Sequence, residues 1–250
     1  MEKRIRLKIS YDGTAYHGWQ IQDGMVTVEG VLAEAIGEAV GKPVEVIGAS
    51  RTDAGVHALG NIAVFDADTP IPADKMSMVL NKLLPDDISV VCSDEVPSDW
   101  HPRKQDCRKT YEYRIYTAPV RMPLKRLYAH YTYSELDIGE MDRAAGFFTG
   151  EHDFTAFCAA GSQATTFTRT IYACSVKKDG NEAVISVTGS GFLYNMVRII
   201  AGTLYEVGLG RKKADDIPGI IDSLDRRKAG PTLPACGLTL IRYEYPDYPI

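Results

Sequence analysis

Gly48-Ala49-Ser50-Arg51-Thr52-Asp53-Ala54-Gly55-Val56-His57-Ala58 stands between two strand-like runs, 44–47 and 61–66. Taking it as the connection of a strand pair decides how the first half of the chain folds. Gly48 and Gly55 permit backbone paths that a Cβ would resist. Between them lie a guanidinium (Arg51) and a carboxylate (Asp53), with the imidazole of His57 just beyond. Loops on a rigid scaffold are where functional groups concentrate. An aspartate before Ala-Gly also serves as an ordinary turn former. Arg51 favours the chemical reading, because a guanidinium two residues away would hold Asp53 ionised and aimed.

Outward from this loop the elements follow from periodicity. Ile5, Leu7, Ile9 and Tyr11 alternate with Arg4, Arg6, Lys8 and Ser10, a half-buried strand. Val28, Val31, Leu32, Ala35, Ile36, Ala39 and Val40 share one face of a helix over 28–40, with Thr27 as N-cap and Gly41 as stop. Met76, Val79, Leu80 and Leu83 predict a second helix over 73–84, ending before Pro85, and 88–96 reads as a strand. The order is βαββαβ. The second half repeats it: a strand over 110–117, a helix over 138–149, and a hairpin of 168–177 and 183–188 around Asp179-Gly180-Asn181. Helices over 192–207 and 213–223 and a strand over 238–245 follow. The expected fold is therefore α+β, two tandem ferredoxin-like (βαββαβ-type) domains with a joined antiparallel sheet and a central cleft. The expected division is 1–104, carrying the Asp53 loop, and 105–250, completing the cleft.

The 250 residues, 45% hydrophobic, suffice for one large domain or two modest ones. No apolar run approaches the ~18 residues of a membrane span. The first residues enter a strand directly, without the apolar core of a signal peptide. Five scattered cysteines, an odd number without a Cys-x-x-Cys pair, fit reduced thiols in a cytoplasmic protein. With 28 Lys+Arg against 33 Asp+Glu the net charge is −5, unlike a protein that coats polyphosphate non-specifically. The cations cluster, however, at 103–104, 108–109, 125–126, 211–213 and 226–228, which allows a local positive groove on an acidic body.

No P-loop, dinucleotide fingerprint or nucleophile elbow is present. Glu151-His152-Asp153 is the one tight cluster of metal-ligand types, and such a cluster more often braces a helix end. What remains is one well-framed carboxylate. Asp53 could attack as a covalent nucleophile if a fixed cation keeps it ionised. Arg51 is one candidate for that cation. Arg198, among apolar neighbours, is a second, and it needs an acid, either Asp53 or a structural partner such as Glu206. Tyr111, following Arg108 and Lys109 on a strand, could stack a base beside its phosphate.

These pieces occur in order with others along nearly the whole chain. They include Tyr11-Asp12-Gly13-Thr14, Tyr16-His17-Gly18-Trp19-Gln20, the Asp53 loop, Lys109-Thr110-Tyr111-Glu112-Tyr113 and His152-Asp153-Phe154. Gly191-Phe192-Leu193 through Met196-Val197-Arg198, Ala229-Gly230-Pro231 and Pro234-Ala235-Cys236-Gly237-Leu238 complete the set. The chain thereby resembles the TruA family of tRNA pseudouridine synthases. One departure is the segment 159–166, rich in Ala, Ser and Thr and without a basic residue. The resemblance implies isomerisation of uridine to pseudouridine in the tRNA anticodon arm, at positions 38–40, by a homodimer that needs no metal or other cofactor. It implies Asp53 as nucleophile, Arg51 as a helper in displacing the target nucleotide, Tyr111 packed on the uracil, and Arg198 holding Asp53 ionised. His57, Arg108, Lys109 and Leu193 would join Tyr111 in binding the substrate. Two readings from other classes are a non-catalytic tandem RNA-binding module and a metal-assisted hydrolase built on Glu151, His152 and Asp153.

Overall fold

The computed structural model of the chain describes residues 2–250. It is a mixed α+β protein that divides into two compact units, residues 1–107 with 240–250, and residues 108–239.

The first unit contains β1 (Lys3–Tyr11), α1 (Val28–Val40), β2 (Ile47–Gly48), β3 (His57–Ala67), α2 (Met76–Leu80) and β4 (Ile88–Val96). β10 (Leu238–Glu244) lies beside β3, giving the order β4-β1-β3-β10, with β2 also on β3. β1 is antiparallel to both β3 and β4. Ile5, Leu7 and Ile9 are fully buried, as the alternation predicts, but Arg6 on the opposite face is buried as well, so the strand is less one-sided than the sequence suggests. α1 keeps its predicted bounds: the Thr27 hydroxyl accepts from Gly30 N, and Gly41 closes the helix at φ 76°. These are the ordinary N-cap and left-handed C-cap solutions to unpaired helix ends.

α2 is much shorter than the predicted 73–84. It opens as a 3-10 turn, Ala73–Lys75, and only Met76 and Leu80 are buried. Asn81 ends it, because its side chain is engaged by β4: Nδ2 donates to Val90 O (2.9 Å) and Oδ1 accepts from Val90 N (2.7 Å). β3 is longer than the predicted 61–66 because a bulge hides its alternation. Ile9 faces Asn61 but Tyr11 faces Ala58, so β3 carries an extra residue around exposed Leu59 and buried Gly60.

Residues 240–250 cluster with the first unit for a physical reason. Arg6, 2% exposed, binds Asp94 through Nε and Nη2 and donates to the carbonyls of Tyr248 (2.7 Å) and Pro249 (3.2 Å). A buried guanidinium is tolerated only when its hydrogen bonds are met in this way. Tyr245 packs edge-on against Trp100 at 5.0 Å and stacks on Tyr243.

The second unit contains β5 (Arg108–Thr117), β6 (His130–Thr132), α3 (Ile138–Gly146), β7 (Gly150–Asp153), β8 (Thr168–Asp179), β9 (Glu182–Gly189), α4 (Met196–Gly208) and α5 (Ile217–Asp222). Its strand order is β5-β9-β8-β7, with β6 parallel to β5. The predicted hairpin is β8–β9, turning at Gly180 with φ 59°. α4 begins at Met196 instead of Phe192, because Asn195 adopts φ 59° and breaks the helical path before it. Asparagine tolerates that conformation better than most residues with a side chain.

Candidate active site

In the first unit the segment 49–56 joins β2 to β3, and its backbone is fixed from several sides. Asn61, fully buried on β3 just past the bulge, donates from Nδ2 to Ser50 O (3.0 Å) and accepts from Ser50 N at Oδ1 (3.3 Å). The same Nδ2 donates to the Tyr11 hydroxyl (3.3 Å), which is 2.7 Å from Thr52 Oγ1. Thr52 O accepts from Trp19 N (3.0 Å), Tyr16 O from Gly55 N (3.3 Å) and Asp53 O from Val56 N (3.1 Å). Trp19 is itself set by α1, since its Nε1 donates to Glu29 Oε1 (3.1 Å). Two glycines make the close approaches possible. A Cβ on Gly48 would lie 2.2 Å from Trp19 Nε1, and one on Gly18, at φ 87°, would lie 2.7 Å from Thr52 O.

Asp53 sits half-buried at the centre of this frame, between buried Thr52 and exposed Ala54. Arg51 is exposed and forms no ion pair among the described residues, so it is not the cation beside Asp53. His57, 5% exposed, turns inward: Nδ1 accepts from Gly13 N (3.1 Å), with Asp12 Oδ1 3.1 Å from the same nitrogen. In this position the ring braces the turn at residues 12–14 against the start of β3.

In the second unit Tyr111, on β5, is 8% exposed and meets Phe192 edge-on at 5.3 Å. Tyr113 and Tyr116 on the same strand are core residues. The Tyr113 hydroxyl donates to Pro234 O (2.8 Å), and burial raises its pKa. Tyr116 is 1% exposed, and its hydroxyl accepts from Met122 N (3.1 Å). Arg198, near the start of α4, is half-buried. It donates from Nε to Leu233 O (2.7 Å) and from Nη1 to Asn195 Oδ1 (2.6 Å). The left-handed Asn195 that delays α4 thus also orients this guanidinium. Glu206, the alternative structural partner, is paired with Arg211 instead (3.1 Å). Leu193 is buried, Arg108 lies over the Tyr172 ring at 5.0 Å, and Lys109 pairs in register with Gly189.

The 151–153 cluster lies on β7. Asp153 Oδ1 accepts from both N and Oγ1 of Thr155, which is turn capping, and His152 Nε2 is 3.1 Å from Thr149 O. Three contributors have no assigned role in the sequence reading, although Tyr11 and Trp19 stand in its motifs. Asn61, Tyr11 and Trp19 supply the frame of the Asp53 loop. Asn61 carries a signal, an amide at the head of the apolar run Ile62-Ala63-Val64-Phe65, where an unpaired polar group would be costly.

The family model for tRNA pseudouridine synthase matches residues 8–103 and 144–246. A tRNA pseudouridine synthase A of Ruminiclostridium cellulolyticum is 50% identical over 244 residues, covering 97% of this chain and 100% of that protein. Its counterpart in Acetivibrio thermocellus is 46% identical over 243 residues, and that of Geotalea uraniireducens 45% over 243, each covering 97% of this chain and 100% of the relative. The signature motifs, the framed Asp53 loop and identity along almost the entire length agree: the chain belongs to the tRNA pseudouridine synthase family.

Proposed function

We propose that this protein converts uridine to pseudouridine in the anticodon arm of tRNA, at positions 38–40, with Asp53 as the nucleophile. The observation that carries the reading is the framing of Asp53. A flexible turn former would not require Asn61, Tyr11, Thr52 and Trp19 to fix its backbone. Preorganisation of this kind is what nucleophilic catalysis needs from a scaffold.

In the proposed reaction the N1–C1′ bond breaks, the uracil turns, and C5 bonds to C1′. The proton leaves C5 and N1 takes one up, so atoms and charge balance without an oxidant or a nucleotide. The target must first leave the base stack, at a cost of a few kcal/mol that phosphate contacts offset. Arg51 takes the role of displacing or holding the extruded nucleotide, a role supported by its exposed guanidinium. Tyr111 packs on the uracil and helps remove the C5 proton. Arg198, the cation assigned to Asp53, keeps the carboxylate ionised, and the Asn195 and Leu233 contacts support that role by fixing its orientation. Arg108, Lys109 and Leu193 complete the substrate contacts, while buried His57 contributes by bracing the loop.

The finer architecture belongs to the same proposal: two related βαββαβ-type units, a reading supported by the order β4-β1-β3 around antiparallel β1. So do a homodimeric assembly, in which cation clusters on two subunits share one tRNA, and a cytosolic location, which the five free thiols support. Among the described residues no helix is long and apolar enough to cross a membrane.

Tritium release from C5-labelled uridine in tRNA tests the reaction directly. Asp53→Asn should abolish release while leaving tRNA binding largely intact, and release by the purified variant would overturn the nucleophile assignment. RNA affinity without any change in nucleoside composition would instead point to a binding module. Light scattering of the free protein and of its tRNA complex tests the dimer.

A further inference from the structure

Four arginines of the second unit are neutralised by carboxylates: Arg114 by Glu112, Asp179 and Glu182, Arg143 by Glu140 and Asp215, Arg211 by Glu206, and Arg227 by Asp225. Arg226 is held instead by Gly230 O (2.8 Å) and Thr232 Oγ1 (3.1 Å), and Arg169, on β8 opposite His152, likewise has neutral partners. It is half-buried, and its guanidinium is held by neutral oxygens alone. Nη1 donates to Thr168 O (2.7 Å), Thr166 O (3.0 Å) and Thr166 Oγ1 (3.3 Å). Among the described residues no carboxylate pairs with it, and Nε and Nη2 make no hydrogen bond.

Its position is as telling as its partners. The side chain runs along Gly191, where a Cβ would sit 3.8 Å from both Cδ and Nε. The next residue, Phe192, is the one that meets Tyr111 edge-on. Two residues beyond Ile171, which faces Gly189, is Ala173, and between them Tyr172 carries the Arg108 guanidinium on its ring. One end of β5, β9 and β8 therefore gathers Arg108 and Arg169 around Ser190-Gly191-Phe192, with no carboxylate partner for either among the described residues. Burial lowers the pKa of Arg169 from the ordinary arginine value, since the cation is desolvated and Cys158 offsets that loss only in part.

We propose that Arg169 binds a backbone phosphate of the RNA beside the nucleotide that reaches Tyr111, through the two guanidinium nitrogens the protein leaves uncommitted. The oxygens of Thr166 and Thr168 fix the plane of the fork, and a phosphate monoanion accepts from its outer edge. Planar paired donors suit phosphate oxygens. The inference rests on the proposed function in taking tRNA as the ligand and Tyr111 as the place its target nucleotide reaches.

The test is equilibrium binding of a tRNA transcript across a salt series, with unfolding curves and steady-state kinetics on the same proteins. Removing one phosphate contact in Arg169→Gln should flatten the slope of log K against log salt by about 0.7–0.9. It should also raise KM while kcat stays near wild type. Arg169→Lys, which keeps the charge and loses the fork, should restore the slope but not the full affinity. A lower Tm in Arg169→Gln with an unchanged salt slope would mean that the side chain only braces residues 166–168, and would overturn the proposal. Wild-type affinity in Arg169→Lys would overturn the paired contact. Because binding is measured apart from chemistry, a wild-type protein that forms no pseudouridine would sink the preceding reading while leaving the slope to judge Arg169.

Discussion

Around Asp53 in the first unit, polar groups are committed to one another: Asn61 to both backbone groups of Ser50, Tyr11 to Thr52, and Trp19 to Thr52 and Glu29. At the end of β5 and β8 in the second unit, Arg108 rests on a tyrosine face and Arg169 on neutral oxygens, with no acid among the described residues to satisfy either. The opposite end of the same strands is neutralised, where Glu182 accepts from Arg114 and Lys125, and Asp179 from Arg114. The difference separates two requirements of acting on RNA. A reacting carboxylate needs a backbone that does not move, whereas a polyanionic ligand needs cations the protein has not already paired. This is how a chain of net charge −5 can still present a positive site.

The contrast yields distinct kinetic signatures. Gly48→Ala should have the largest effect, because its Cβ would fall 2.2 Å from Trp19 Nε1 and push the ring off the loop. Overpacking of this sort costs about 1–3 kcal/mol, so Tm and kcat should fall together in melting and tritium-release assays. Asn61→Leu comes next. It leaves the Ser50 backbone groups buried without their partner, a loss of about 1–3 kcal/mol. It should lower kcat with little change in tRNA affinity, and a doubled variant with Tyr11→Phe should be less than additive, since both act through residues 50–52. If Asn61→Leu instead weakened binding at constant kcat, the division between the two regions would be wrong.

Arg108→Gln should do the reverse of Asn61→Leu, raising KM and reducing salt sensitivity while kcat is retained. At the neutralised end, Glu182→Gln should leave tRNA affinity unchanged and alter only acid stability. Burial alone would raise the pKa of Glu182, but hydrogen bonds from Lys125 and Arg114 outweigh it and hold the value below the ordinary 4.5. A carboxylate with a depressed folded pKa stabilises fully above its unfolded value and loses that contribution as pH falls through the folded one. Wild-type Tm should therefore drop more steeply below about pH 4.5 than that of Glu182→Gln, a difference that scanning calorimetry would resolve.

How far the sequence could be read depended on whether local pattern or tertiary contact decided each feature. β1, α1, β4 and the β8–β9 hairpin follow from alternation, caps and a turn glycine, and they fall where the pattern puts them. β3 does not, because the bulge at Leu59 and Gly60 changes which residues share a face and disguises His57 as loop. α2 fails at Asn81 and α4 starts late at Asn195, in both cases through an amide engaged by a distant or neighbouring group. The Asp53 loop was legible as a motif, but its fastening to Asn61 was not. Nor could spacing tell that Arg51 has no ion pair among the described residues while Glu206 serves Arg211, since partner choice among charges is a property of the folded chain.

The clasp of Arg6 on the carbonyls of Tyr248 and Pro249 has a consequence for biosynthesis. Ribosomes deliver a chain from its amino end, yet here the opening strand finds its final acceptors only when residues 240–250 have emerged. The earliest-made unit must wait, with a buried-to-be cation still hydrated, while the 132 residues between its two pieces are translated and begin to fold on their own.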